Sequence, residues 1–216
     1  NLRQLVRDVV LRLAGKNDKA VRQLELTYGG GKTHTLITLW HLVHDPEKLP
    51  NLPAVAEFTQ DIGQKPPKCR VAGLCFDKLD VEKGMEVVSP DGKARTLKQP
   101  WSVLAYQLAG DAGLKILHAS GKAEERDSAP AENLLIELLE LPGKEGLGTL
   151  ILIDEVLMYA REKVAQDKEW RSKLANFFQY LTQAVVKVDR CCLVASLLAT
   201  DPRKMAAVGR EIQAEL

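Results

Sequence analysis

Two groups of residues in this chain are suited to chemistry: a glycine string ending in Lys-Thr, and an acidic pair closing an apolar run. Gly29, Gly30, Gly31, Lys32 and Thr33 follow a short run from Val21 to Leu26 that reads as a strand, and they open a helix-like stretch from Thr33 to His44. Strand, glycine loop and helix in that order suit a phosphate chain. Side chains cannot surround so dense an anion without steric conflict. Glycines let backbone N–H groups approach it, and a helix N-terminus adds positive partial charge. In such a cradle Gly29, Gly30 and Gly31 form the turn. Lys32 sets its ammonium against the β- and γ-phosphates of a nucleoside triphosphate, and the Thr33 hydroxyl ligates Mg²⁺. His34 follows directly and lines the nucleotide mouth. The strict spacing G-x-x-x-x-G-K-[ST] requires glycine at position 26, which here is Leu26. Gly29 and Gly30 provide other permissive positions. Taken alone, the string is equally readable as a surface turn.

The acidic pair decides between these readings. Leu150-Ile151-Leu152-Ile153 runs into Asp154-Glu155, an apolar strand delivering two carboxylates at the end where open α/β sheets bind ligands. Asp154 is positioned to hold Mg²⁺ through water, because that ion keeps much of its hydration shell. Glu155 is positioned to orient or deprotonate the attacking water. The competing assignment makes Asp154 a helix cap with Glu155 solvated beside it. Ser196 ends a further apolar strand, Cys191 to Ala195, and can reach the γ-phosphate or the water in the same crevice. Thr200 and Asp201 are rivals for that role, and a hydroxyl satisfying local backbone is an equal alternative.

These groups need a scaffold, and the apolar pattern describes one. Leu2, Leu5, Val6, Val9 and Leu13 form a helical stripe closed by Gly15, a leading helix and linker over residues 1–20. Residues 21–216 then hold the nucleotide-binding core. Pro46, Pro50, Pro53, Pro66 and Pro67 preclude a continuous regular element over residues 45–68. Arg70 to Phe76 is a second core strand. Met85 to Ser89 and Ala94 to Leu97 flank Pro90-Asp91-Gly92 as a small surface hairpin. Trp101 to Leu108, Asn133 to Leu141 and Trp170 to Val188 read as helices, the last with Leu174, Phe177, Phe178, Leu181 and Val185 on one face. Gly121 to Pro130 reads as an exposed loop. Alternating strands and helices predict a three-layer α/β domain with a mostly parallel central sheet.

Composition narrows the function classes. The 216 residues carry 30 Lys plus Arg against 29 Asp plus Glu, a net charge of +1 that argues against a surface dedicated to coating DNA. Aromatic residues make up 5%, too few for a stacking platform for single strands. Cys69, Cys75, Cys191 and Cys192 lack zinc-site spacing and read as reduced, buried thiols of a cytoplasmic protein. His41 and His44 share a helix face with no Cys or acidic partner to complete a metal motif. Arg161, Arg171, Arg203 and Arg210 are each candidate arginine fingers, with surface charge the simpler reading. No apolar run is long enough to span a membrane. The chain begins without Met and stops inside a helical pattern, as expected of a piece of a larger protein.

Leu26-Thr27-Tyr28-Gly29-Gly30-Gly31-Lys32-Thr33-His34-Thr35-Leu36-Ile37, together with Arg95-Thr96-Leu97, Trp101, Ala105-Tyr106-Gln107-Leu108 and Leu150 to Glu155, resembles a group of large prokaryotic AAA+-like P-loop ATPases. These occur in anti-phage defence islands of the phage-growth-limitation and BREX type and were once known only through a domain of unknown function. The resemblance covers most of the chain. It implies a P-loop NTPase core with an inserted hairpin. The implied activity is Mg²⁺-dependent ATP hydrolysis driving conformational change in a defence assembly, with other subunits, or copies of itself, as partners. Contact with DNA would run through regions outside this chain, as would the lid. A nucleotide-gated scaffold that binds ATP with little hydrolysis is the alternative. Neither the guanine-reading N-K-x-D nor an L-S-G-G-Q-like signature occurs.

Overall fold

The computed structural model describes residues 2–26 and 31–198, together with 212 and 214. In chain order the elements are α1 (Leu2–Leu13), β1 (Val21–Leu26), α2 (Lys32–His44), α3 (Pro53–Ile62), β2 (Cys69–Cys75), β3 (Met85–Val88), β4 (Ala94–Leu97), α4 (Pro100–Leu117), α5 (Glu132–Lys144), β5 (Gly148–Asp154), α6 (Val156–Gln166), α7 (Trp170–Lys187) and β6 (Cys191–Leu198). Short 3₁₀ turns occupy Pro46–Lys48 and Phe76–Lys78.

Among these, β1, β6, β5 and β2 lie side by side in that order, all parallel. After β1 the chain crosses to the far edge at β2 and then walks back through β5 to β6. β6 therefore lies between β1, which precedes the glycine string, and β5, which ends in Asp154.

The faces separate cleanly, as a period of two requires. Leu24, Val71, Leu150, Leu152, Cys192 and Val194 pack with α1, α2 and Ile62 of α3, while Ala72, Leu74, Ile151, Ile153, Leu193 and Ala195 pack with α4, α5, α6 and α7. The result is an α/β domain with helices on both faces of a four-stranded parallel sheet. β5 is buried along its whole length. Each of its large aliphatic side chains contributes about 1.5–3 kcal/mol by leaving water. That makes it the stiffest platform available for whatever stands at its end. The leading helix is part of this packing: Val9, Val10 and Leu13 are fully buried. Arg12 on its last turn donates to the Cys191 carbonyl at 3.0 Å and to the Val188 carbonyl at 2.9 Å.

Several sequence expectations are corrected. No continuous element spans residues 45–68, as expected, but a shorter helix, α3, fits between the prolines because Pro53 sits at its first turn, where no N–H partner is needed. β6 continues past Ala195 to Leu198, extended by its parallel pairing with β1, so Ser196 lies inside the strand. Cys75 is exposed, unlike the other three thiols. The segment 121–130 is tied down: the Glu125 carboxylate accepts the backbone N–H groups of Lys98 and Gln99 at 2.9 Å, and Trp101 donates its indole N–H to the Arg126 carbonyl at 2.6 Å. The hairpin forms from β3 and β4 as expected. The helix beginning at Trp101 also breaks close to its predicted end: Gly110, at φ 57° and ψ −138°, folds the remainder of α4 back on itself. Only a glycine takes that conformation cheaply.

The edge strand β2 has its own guard. Gln107 on α4 takes the Gly73 N–H on its side-chain oxygen at 2.5 Å and donates its amide to the Gly73 carbonyl at 3.0 Å, as a neighbouring strand would. Gln107→Ala leaves both backbone groups without that partner. It is expected to lower unfolding free energy by about 2 kcal/mol, read as a lower urea midpoint with unchanged slope.

Among the described residues no helix is long and apolar enough to cross a membrane.

Candidate functional site

The C-terminal ends of β5 and β6 and the start of α2 converge on one face of the sheet. Gly31 precedes α2 in the left-handed region, φ 82° and ψ 21°, with nothing within 4 Å of where a side chain would project. Its carbonyl accepts both the N–H and the hydroxyl of Thr35 at 2.9 Å, closing the first turn. Lys32 is thereby turned inward and is only 8% exposed. The next residue, Thr33, is exposed, and its hydroxyl donates to Asp154 Oδ2 at 3.1 Å across 121 positions of sequence.

Asp154 is 5% exposed, and its other oxygen, Oδ1, is buried without a hydrogen-bond partner among the described residues. Ser196 is in the same condition: it is 4% exposed, and its hydroxyl is also buried and unpartnered among them. Register explains why the two belong together. Leu152 pairs with Val194 and Ile153 with Ala195, so Asp154 and Ser196 are the next residues on adjacent strands and return to the α2 face. Two unsatisfied buried oxygens each carry a desolvation cost of about 1–3 kcal/mol, which a ligand can relieve.

Glu155 caps α6 with φ 57° and ψ 37°, a left-handed conformation rare outside glycine. Strain of this kind persists when the surrounding structure enforces it and gathers at sites of function. Burial raises the Glu155 carboxyl above its ordinary value, the adjacent Asp154 charge raises it further, and Lys32 pulls it partly back. The Lys32 ammonium and the two carboxylates therefore share one electrostatic environment.

The other sequence candidates distribute as follows. Gly29 and Gly30 lie outside the described residues, as do Thr200, Asp201, Arg203 and Arg210. His34 is exposed on the first turn of α2, where its carbonyl accepts the Thr38 hydroxyl at 2.8 Å. His41 and His44 are exposed on the same helix, and the His44 ring stacks on Trp40. Arg161 and Arg171 stand together beside a surface hollow along α6 and α7. One neighbour escaped the sequence reading. Cys75 ends β2 directly opposite Asp154 in the parallel register, and only a pairing register could have placed it there. Its thiol is raised by burial and by the charges of Asp154 and Asp77.

The arrangement offers hard oxygen donors, a buried ammonium and a carboxyl raised by burial and the Asp154 charge. Among the described residues no group of three His, Cys, Asp or Glu side chains forms a metal cage. Mg²⁺ is held in proteins through one or two protein oxygens completed by water and phosphate. Thr33 Oγ1 and the unpartnered Asp154 Oδ1 fit that donor set. The family described as the DUF499 N-terminal domain matches residues 1–215. The chain belongs to that family. The match spans both the leading helix and the sheet, so every element of the site lies within the DUF499 N-terminal domain. No curated protein matches the chain.

Proposed function

We propose that this DUF499 N-terminal domain is a P-loop NTPase core, AAA+-like, that binds ATP with Mg²⁺ and hydrolyses it to drive conformational change in a larger prokaryotic assembly of the anti-phage defence type. The observation that carries the proposal is the Thr33–Asp154 contact of 3.1 Å, which joins the start of the helix after the glycine string to the end of the acidic strand. The order β1-β6-β5-β2 supports it as well, because it sets Ser196 between the two halves of the site. The defence context rests on the motif resemblance.

In this reading Gly29, Gly30 and Gly31 present backbone N–H groups to the phosphates, and Lys32 offers its ammonium to their outer oxygens. Thr33 and Asp154 would hold Mg²⁺, which, when bound, neutralises charge on the phosphate oxygens. Glu155 accepts a proton from the attacking water, and burial with the adjacent Asp154 charge raises its carboxyl above the ordinary value. Ser196 donates its free hydroxyl to the γ-phosphate or to the same water.

Equilibrium binding of a fluorescent ATP analogue, with and without Mg²⁺, tests the assignment. The wild-type domain is expected to bind more tightly with Mg²⁺, and Thr33→Val to lose about tenfold of that Mg²⁺-dependent gain while retaining metal-free binding. Equal affinity with and without Mg²⁺ in the wild type would overturn the placement of the ion.

A further inference from the structure

Beside the Thr33–Asp154 pair, between α2 and the edge strand β2, lies a cavity of about 350 Å³. Thr33 and Asp154, which the phosphate chemistry above uses, also line it, but its apolar walls have no part in that chemistry. Its walls are Leu36, Ile37 and Trp40 on one side and Leu152 on the other, and its floor is the bare backbone of Gly73. Gly73 keeps the space open: a Cβ there would point at the Trp40 ring at 3.5 Å. The volume falls within the range of small-ligand sites, as does the pattern of apolar walls with few polar groups. The inner end is different in kind. Asp154 lines it, 5% exposed, with Oδ1 buried and unpartnered among the described residues. A buried carboxylate oxygen in that condition demands a hydrogen-bond donor, and a cationic donor satisfies it best.

We propose that this cleft is a binding site for a small molecule with a flat apolar body and one ammonium or amidinium end. The body lies between Trp40 and Gly73, and the cationic end rests on Asp154 Oδ1. The aromatic face of Trp40 favours a flat ring. The site stands on the cavity and on Asp154, and it does not require a nucleotide alongside. A bound amine and a divalent cation exclude each other at Asp154. That consequence rests on the ATPase reading.

Cys75 gives a direct readout. It lines the cleft and is exposed, whereas Cys69, Cys191 and Cys192 are at most 3% exposed. Alkylation by N-ethylmaleimide at mildly alkaline pH, followed by intact mass, therefore reports on this one wall. The probe is tryptamine, compared with indole, which has the same ring without the ammonium. Tryptamine at ten times its Kd is expected to slow Cys75 alkylation about tenfold, with indole much weaker. Asp154→Asn is expected to reduce tryptamine to the level of indole while leaving indole unchanged. Gly73→Val fills the floor and is expected to abolish protection. Ile37→Ser, on a rim residue already 49% exposed, is expected to weaken both probes without a change in thermal midpoint. No protection by tryptamine at millimolar concentration, or equal protection in Asp154→Asn, overturns the site. Loss of competition between tryptamine and Mg²⁺·ATP, with protection intact, overturns only the mutual exclusion.

Discussion

Lys32→Ala is expected to cost the domain about 100-fold or more in ATP affinity, measured by titration with a fluorescent analogue, while its thermal midpoint stays within a few degrees of wild type. The size follows from the charge. A hydrogen bond to an ionised group is worth about 1.5–3 kcal/mol, and Lys32 faces the most highly charged part of the ligand from a position only 8% exposed. The same burial explains the specificity of the effect. A solvated lysine would be screened and its loss small. This ammonium acts from inside the first turn of α2 and already influences Glu155. Lys32→Arg is the sharper control, since it keeps the charge but enlarges the head in a tight turn; it is expected to recover only part of the affinity. Tight ATP binding by the alanine variant would remove Lys32 from the site.

Glu155→Gln is expected to separate binding from turnover. ATP affinity remains near wild type, while steady-state phosphate release falls about 10²–10⁴-fold, the range that one positioned base supplies. Glutamine keeps the length and the polar tip, so the left-handed backbone at φ 57° is disturbed little. The pH profile adds a signature that a merely structural residue would lack. A base must be deprotonated to act, and burial with the Asp154 charge raises this carboxyl. The acid limb of the wild-type rate should therefore fall above the ordinary glutamate value of about 4.3, and activity declines as pH drops through it. The Gln variant should lose that limb. Unchanged turnover in Glu155→Gln would relocate the base. Bound ATP with negligible release in the wild type, alone and in its assembly, would favour the nucleotide-gated scaffold.

The two largest effects fall on two segments that the sequence marks plainly. Gly31, Lys32, Thr33, Asp154 and Glu155 stand out as candidates because the proposed phosphate and Mg²⁺ chemistry would restrict residue type and local order, which survive in one dimension. The leading helix, the hairpin and the apolar β5 are legible for a similar reason: each is written in local periodicity, 3.6 or 2.

Tertiary structure decided everything that depends on register. Parallel pairing extended β6 beyond Ala195 and turned Ser196 from a strand end into a buried hydroxyl, unpartnered among the described residues, beside Asp154. The β2–β5 register set Cys75 opposite Asp154 and left its thiol exposed, against the expectation of a buried one. Gln107, part of the motif behind the family resemblance, acquired a physical role only when α4 carried it to Gly73. Strand order and side-chain pairing arise from non-local contacts that no spacing encodes. The sequence by itself thus marked the candidate groups for the proposed chemistry. The packing of α2 against β5 and β2 alone determined that Thr33 reaches Asp154, and that an apolar cleft opens beside them.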